Sequence, residues 1–273
     1  MKPAPFEHLP VESAEEAVAA LAGYGDEAKV LAGGQSLVPL LSMRLVRPGV
    51  LIDVNRVPGL DRIEVDGELT LGTLVRQADA LASPAVLELA PLLVSALRHV
   101  GHAATRNRGT VGGSLAHADP AAELPAVLLA LDGQVDVLGH TGVRTIPAGA
   151  LFTGPFTTAL AADELLTRVR LPGSGGRRFG FVELARSPGD FALAGAAVCL
   201  DPARIVLFGL GGEPARAPEA EALLEQGAGG REIAVAATRD LDPVSDVHAD
   251  GAYRRRVAEV ILGRALAQAG VDG

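Results

Sequence analysis

Two glycine pairs, each leading toward an apolar run, constrain this chain more than any other feature. The first lies in AGGQSL at 32–37, entered from the short apolar run KVLA, and the second in TVGGSL at 110–115. A glycine pair leaves no Cβ between the backbone and whatever packs against it, and left-handed dihedrals cost little there. Successive N–H groups in such a loop can converge on an anion, for instance a pyrophosphate. Gln35 and Ser36 add side-chain donors to Gly33 and Gly34, and the hydroxyls of Thr110 and Ser114 flank Gly112 and Gly113. One such pair is most simply a tight turn, but two hydroxyl-flanked copies weaken that reading.

Neither loop follows the dinucleotide fingerprint G-x-G-x-x-G. Gly33-Gly34 lacks the spacing, and Gly209-x-Gly211 has Pro214 where the third glycine belongs. No Gly-Lys-Ser/Thr occurs, and the only lysines are Lys2 and Lys29, so a P-loop is excluded as well.

The elements around the loops can be placed from local pattern. Ser13 and Glu16 form a capping box for the helix AEEAVAALAG, which Gly23 is expected to end. KVLA at 29–32 and VLIDV at 50–54 read as strands, with a short helix between them interrupted by Pro39. IEV and LTLG, joined by Asp66-Gly67, form a hairpin; LVRQADALA is helical. Pro91 opens a helix with Leu92, Leu93, Ala96, Leu97 and Val100 on its apolar side. ELPAVLLALDG is helical, VDVLG and VRTIP are strands, and ELLTRVRLP at 164–172 is another. GSGG at 173–176 suits a linker, dividing the chain into 1–172 and 173–273. Beyond it RFGFVELA, FALAGAAVCL and RIVLFGLGG predict three antiparallel strands. The last helix should bury Val257, Val260, Ile261 and Ala265 and present Arg254, Arg255 and Arg256 to solvent. The whole is α+β.

Composition excludes several roles. With seven Phe, two Tyr, no Trp and a net charge of −9, neither base stacking nor phosphate-backbone binding is supported, so a nucleic-acid partner is not expected. No apolar run reaches the roughly 18 residues of a membrane span, and MKPAPFEHLP has no signal core. No membrane insertion and a cytoplasmic location are therefore expected. The single cysteine, Cys199, rules out an internal disulfide and a multi-cysteine zinc or iron–sulfur site; it lies in an apolar strand, where an inert thiol is expected.

The strings KVLAGGQSLVPLLSMRLVRPGVLIDVNRVPGL (29–60) and RNRGTVGGSLAHADPAAELPAVLLALDG (106–133) resemble the two flavin loops of the FAD-binding medium subunit of molybdenum hydroxylases, the family of the carbon monoxide dehydrogenase and xanthine dehydrogenase flavoproteins. ELLTRVRLP, RSPGDFALAGAAV and the arginine-bearing last helix extend the resemblance over nearly the whole chain. It implies a two-lobed FAD-binding domain of the vanillyl-alcohol-oxidase-like (PCMH) type, then a small C-terminal domain with a three-stranded antiparallel sheet and helices. It implies FAD as cofactor, with Ala32, Gly33, Gly34, Gln35, Ser36 and Leu37 around the diphosphate and part of the flavin, and Thr110, Gly113 and Ser114 in the second loop. Glu123 matches an acidic residue on the adenosine side, where a carboxylate can accept from ribose hydroxyls, and Leu166 matches a leucine lining the cofactor. Glu183 stands where several members carry a lysine near the flavin, and Arg186 is a candidate substitute cation.

The implied role is an oxidoreductase subunit in a heterotrimer with a small [2Fe–2S] subunit and a large molybdopterin subunit, passing electrons to NAD, a quinone or oxygen. A free-standing FAD oxidase and a flavin-less structural or assembly subunit are the alternatives. His117 and Asp119, in AHADP, either touch the flavin or a partner or form a helix-initiating turn before Pro120. His99 and His102 lack metal-ligand spacing. Arg106 and Arg108 face phosphates, a partner or solvent.

Overall fold

A computed structural model describes residues 2–173 and 176–272. Ser174 and Gly175, the centre of the expected linker, lie outside the described residues.

The chain begins with β1 (Glu7–Pro10), α1 (Ala14–Tyr24), β2 (Ala28–Leu31), α2 (Leu37–Ser42) and β3 (Val50–Asp53). The strands form a parallel sheet in the order β1-β3-β2. Ser13 caps α1, accepting from the Glu16 N–H at 3.1 Å, while the Glu16 carboxylate accepts from the N–H of Glu12 at 2.8 Å. The helix runs past Gly23 and ends at Gly25, whose φ of 53° and N–H bond to the Leu21 carbonyl close the last turn. Pro39 does not interrupt α2. It is the third residue of that helix, where a backbone N–H would have no intrahelical acceptor to lose.

A second sheet follows. It draws on β4 (Ile63–Asp66), β5 (Glu68–Gly72), β6 (Gln134–Gly139), β7 (Gly142–Pro147) and, after the short pair β8 (Phe152–Gly154) and β9 (Thr157–Thr158), β10 (Leu165–Leu171). Its order is β4-β5-β10-β6-β7, antiparallel throughout, and the β4–β5 turn is formed by Gly67 at φ 71°. Between β5 and β6 lie α3 (Gln77–Ala82), α4 (Pro84–Leu89), α5 (Pro91–Leu97), α6 (Ala103–Arg108), α7 (Val111–His117) and α8 (Glu123–Ala130), and α9 (Ala148–Leu151) follows β7. Alternate residues of the strands, among them Leu69, Leu71, Val135, Val137, Val169 and Leu171, pack under α5, α7 and α8.

The C-terminal part is β11 (Phe179–Ala185), β12 (Ala192–Cys199), β13 (Arg204–Phe208), β14 (Ala215–Arg216), α10 (Pro218–Glu225), α11 (Gly230–Thr238) and α12 (Gly251–Gln268). The sheet has four antiparallel strands rather than three. The fourth is two residues long and pairs with Val206 and Leu207, too short to leave a periodic trace in sequence. β12 is buried along its whole length because both faces are covered. Ala197 and Cys199 join the core shared with α5 and α8, whereas Ala194, Ala196 and Val198 join the core under the last helices.

The expected polarity of α12 is corrected at two positions. Val260 is 54% exposed, and Arg254 is 5% exposed; Arg255 and Arg256 do face solvent, and Ile261 and Ala265 are buried. Arg254 is drawn inward because its guanidinium meets the carbonyls of Leu193 and Gly209, each at 2.8 Å.

Candidate functional site

The first glycine motif leaves the end of β2 at Ala32, beside the C-terminal end of β3. Gly34 takes φ 72°, which turns the chain sharply into α2. Gly33, Gly34, Gln35 and Ser36 each carry an N–H that donates to no acceptor among the described residues, and the Ser36 hydroxyl caps nothing. The Gln35 side chain bends back to the Gly33 carbonyl at 3.4 Å. Leu37 opens α2. Backbone donors left open in succession are what an anionic group requires, since protein N–H groups otherwise find partners.

The second motif is not a loop. Thr110 is the N-cap of α7, its hydroxyl accepting from the Gly113 N–H at 3.0 Å, and the glycine pair forms the helix's first turn. The N–H groups of Val111, Gly112 and Ser114 bond to the carbonyls of Val75, Thr73 and Thr110. This motif therefore offers side chains more than backbone: the Ser114 hydroxyl has no hydrogen-bond partner among the described residues, and the Thr110 hydroxyl still holds its own hydrogen. Gly112 is glycine for a packing reason, because a Cβ there would overlap the Thr73 side chain.

Tertiary packing brings the two motifs into contact. A Cβ on Gly33 would overlap the carbonyl oxygen of Arg108 and reach 3.0 Å from the Gly109 Cα, and a Cβ on Gly113 would lie 3.8 Å from that of Ala32. The segment with the open N–H donors and the segment with the hydroxyls thus lie side by side. That donor set fits the diphosphate of FAD, which needs hydrogen-bond donors and close backbone approach.

The other candidates are placed as follows. His117 ends α7 with its ring 5.3 Å from that of Phe156, and burial lowers its pKa. Ala118, at φ 51°, turns the chain, and Asp119 accepts from the Ala121 N–H at 2.9 Å, forming the turn that leads through Pro120 to α8. A cavity of about 260 Å³ adjoins this turn, lined by Asp119, Phe156, Phe191, His248 and Arg254 among others. Leu166 is 3% exposed and packs in the core beneath α7. Arg106 does not face solvent freely: its Nη1 holds the carbonyls of Val100 and Gly101 at 2.8 and 3.0 Å. Cys199 is buried, which pushes its thiol pKa up.

The side chains of Glu123 and Glu183 are both buried, and the Glu183 charge acts on Glu123. The Glu183 side chain is 4% exposed, with Oε1 3.4 Å from His99 Nδ1 and Oε2 unpartnered among the described residues. Arg186 is not its counter-ion; it meets His248 instead, at 3.0 Å. Burial first, then the Glu183 charge, push the Glu123 carboxyl from 4.5 up to about 8. At neutral pH Glu123 is therefore an O–H donor as well as an acceptor, not the carboxylate expected from sequence.

The stability consequence has a definite sign. Between pH 4.5 and about 8 the unfolded chain ionises Glu123 while the folded chain keeps it protonated, so stability falls as pH rises through that window. Glu123→Gln should flatten this decline, matching wild type near pH 4.5 and melting higher at pH 8, both measured without FAD. A parallel pH profile for the two proteins would contradict it.

Known proteins resemble this chain over nearly its whole length. The family described as FAD binding domain in molybdopterin dehydrogenase matches residues 4–174, and the CO dehydrogenase flavoprotein C-terminal domain matches residues 180–269. The chain belongs to the FAD-binding medium subunits of the molybdopterin hydroxylases, of the carbon monoxide dehydrogenase medium-chain type. It is thus an oxidoreductase subunit that binds FAD. It is 43% identical to the 6-hydroxypseudooxynicotine dehydrogenase complex subunit alpha of Paenarthrobacter nicotinovorans, over 98% of this chain and 96% of that one. Among solved structures it is similar to carbon monoxide dehydrogenase from Hydrogenophaga pseudoflava, at TM-score 0.94 and 35% identity, covering 99% of each chain. Quinoline 2-oxidoreductase from Pseudomonas putida 86 gives TM-score 0.91 and 35% identity, covering 98% of each. Among the described residues no helix is long and apolar enough to cross a membrane.

Proposed function

We propose that this chain is the electron-relay subunit of a heterotrimeric molybdenum hydroxylase, receiving electrons from a small [2Fe–2S] subunit and delivering them to NAD, a quinone or oxygen. Substrate oxidation belongs to a large molybdopterin subunit. The observation that carries this reading is the convergence of the two glycine motifs on one set of open donors. Cys199 is buried and a single thiolate cannot hold a cluster, so in this reading the iron–sulfur centre is that of the small subunit.

When bound, FAD supplies the one- and two-electron exchange that side chains lack. The chain's own work is to hold and shield. Gly33, Gly34, Gln35 and Ser36 present N–H groups to the diphosphate, with Ser36, Thr110 and Ser114 adding hydroxyls and Ala32 and Leu37 bounding the loop. Glu123, protonated at neutral pH, offers both a donor and an acceptor to a ribose or ring edge. His117, Asp119 and Leu166 complete the proposed cofactor set, with Leu166 acting by packing. The PCMH-type division, 1–172 for FAD and 173–273 for the C-terminal domain, is part of the same reading.

The test is coexpression with the partner subunits. The complex should hold about one FAD per medium chain, and its flavin absorption should bleach anaerobically on adding substrate only when all three subunits are present. Turnover of a small alcohol or sugar acid by the isolated chain, or a functional complex without flavin, would overturn it.

A further inference from the structure

Two side chains outside both glycine motifs tie them together. Asn55 lies two residues beyond the end of β3, and its Nδ2 donates to the carbonyls of Leu31 and Ala32 at 3.2 and 2.8 Å, and to Asp53 Oδ1 at 2.7 Å. Its Oδ1 accepts from Arg76 Nη2 at 2.8 Å. The same guanidinium donates through Nη1 to the Arg108 carbonyl at 2.6 Å. That carbonyl is the one against which Gly33 is packed. Arg76 also carries a β-bridge to Thr110, and the next residue's N–H bonds to the Gly109 carbonyl. The first motif is thus gripped where it leaves β2, the second where it enters α7, and the planar guanidinium sets the distance between the grips.

We propose that Asn55 and Arg76 are positioning residues for FAD: together they hold the first motif's open N–H donors at the separation from Thr110 and Ser114 that the diphosphate spans. This rests on the reading that the two motifs bind that diphosphate. The two residues touch the backbone at the motifs' edges and would act on the cofactor through it. A chain without the bracket keeps its donors but not their spacing, and donors displaced by even an ångström no longer converge on one group. The bracket depends on fork geometry rather than charge, since a lysine ammonium cannot reach two acceptors in fixed directions as a guanidinium does.

The test uses the deflavinated full chain, titrated with FAD, with visible circular dichroism of the bound flavin as a report of its setting. Asn55→Ala, Arg76→Lys and Arg76→Met should each weaken FAD binding by roughly tenfold or more, the scale typical of residues that orient a ligand-holding group. The lysine variant should fare no better than the methionine one, and Asn55→Ala/Arg76→Met should be little worse than either single change. Melting of the FAD-free chain should move little, and the flavin dichroism should change. Arg76→Lys keeps the test usable if Asn55→Ala fails to fold. Ser36→Ala and Ser114→Ala are measured alongside. If they weaken binding while the bracket variants do not, the bracket is overturned alone. If neither set weakens it, the reading of the motifs falls and the proposal with it. Full rescue by Arg76→Lys, or an affinity loss matched by destabilisation of the FAD-free chain, would also reject a positioning role.

Discussion

Gly33→Val is expected to strip the chain of FAD. The cause is not the one that glycine in a phosphate loop first suggests. Gly33 has no positive φ to protect, and its Cβ position is filled by the backbone of the other motif, the Arg108 carbonyl and the Gly109 Cα. A side chain there must push the two motifs apart, because backbone on an adjoining helix end cannot swing aside as the tip of a flexible side chain can. Overpacking of this kind costs about 1–3 kcal/mol, and when it falls on the geometry that binds the ligand it becomes up to roughly a hundredfold in affinity. The measurement is FAD per chain after gel filtration, with far-ultraviolet dichroism to show that the protein is folded. One equivalent of FAD in the folded variant would refute the contact between motifs as the reason for glycine. Gly34→Val tests the other cause, since Gly34 holds φ 72° and a β-branched residue is strained there.

Arg254→Ala should be the most destabilising change in the C-terminal part. The buried guanidinium binds the Leu193 and Gly209 carbonyls through Nη1 and Asp246 Oδ2 through Nη2 at 2.6 Å, fastening α12 to β12, to the end of β13 and to the segment before the helix. Removing it leaves two carbonyls without a donor and empties the space of a long side chain, a loss of about 3 kcal/mol. Asp246 is half exposed and can turn to water, so its share is small. Arg255→Ala and Arg256→Ala, on the solvent side of the same helix, should stay within about 0.5 kcal/mol. Urea unfolding of the three variants checks the ranking. Equal midpoints would show that Arg254 is no more than a surface charge.

Much of the architecture is legible in the sequence. The capping box at Ser13, the Asp66-Gly67 hairpin, Pro91 at the start of α5 and the strands flanking the first glycine pair are each written in a window of a few residues, and each forms where expected. The errors have a common form. Pro39 suggests an interruption, but its place in the first turn makes it harmless; Gly23 suggests a terminator, but Gly25 two residues later has the dihedral for it; Val260 fits a buried position, but the helix turns it outward. Residue type alone does not state the position within the helix or the face that meets the core. Asn55 and Arg76 leave no local signal for a related reason: nothing about an asparagine after a strand, or an arginine before a short helix, shows that they are joined to each other across 21 residues.

The sequence by itself determined many of the longer elements and the two glycine motifs, because those signals are local and carried by residue types with few conformational alternatives; the family resemblance of the strings around them implied FAD as the cofactor. Only the tertiary structure decided which side of Gly33 is closed, that Thr110 serves its own helix as a cap, that Glu123 keeps its proton, and that Arg254 is buried. Most of these depend on a group distant in the chain, as the sequence separation of 61 between Leu193 and Arg254 shows. Spacing along a sequence carries no measure of such distances; folding sets them by packing the segments against one another. The two glycine pairs meet for that reason, at a contact that neither pair specifies alone.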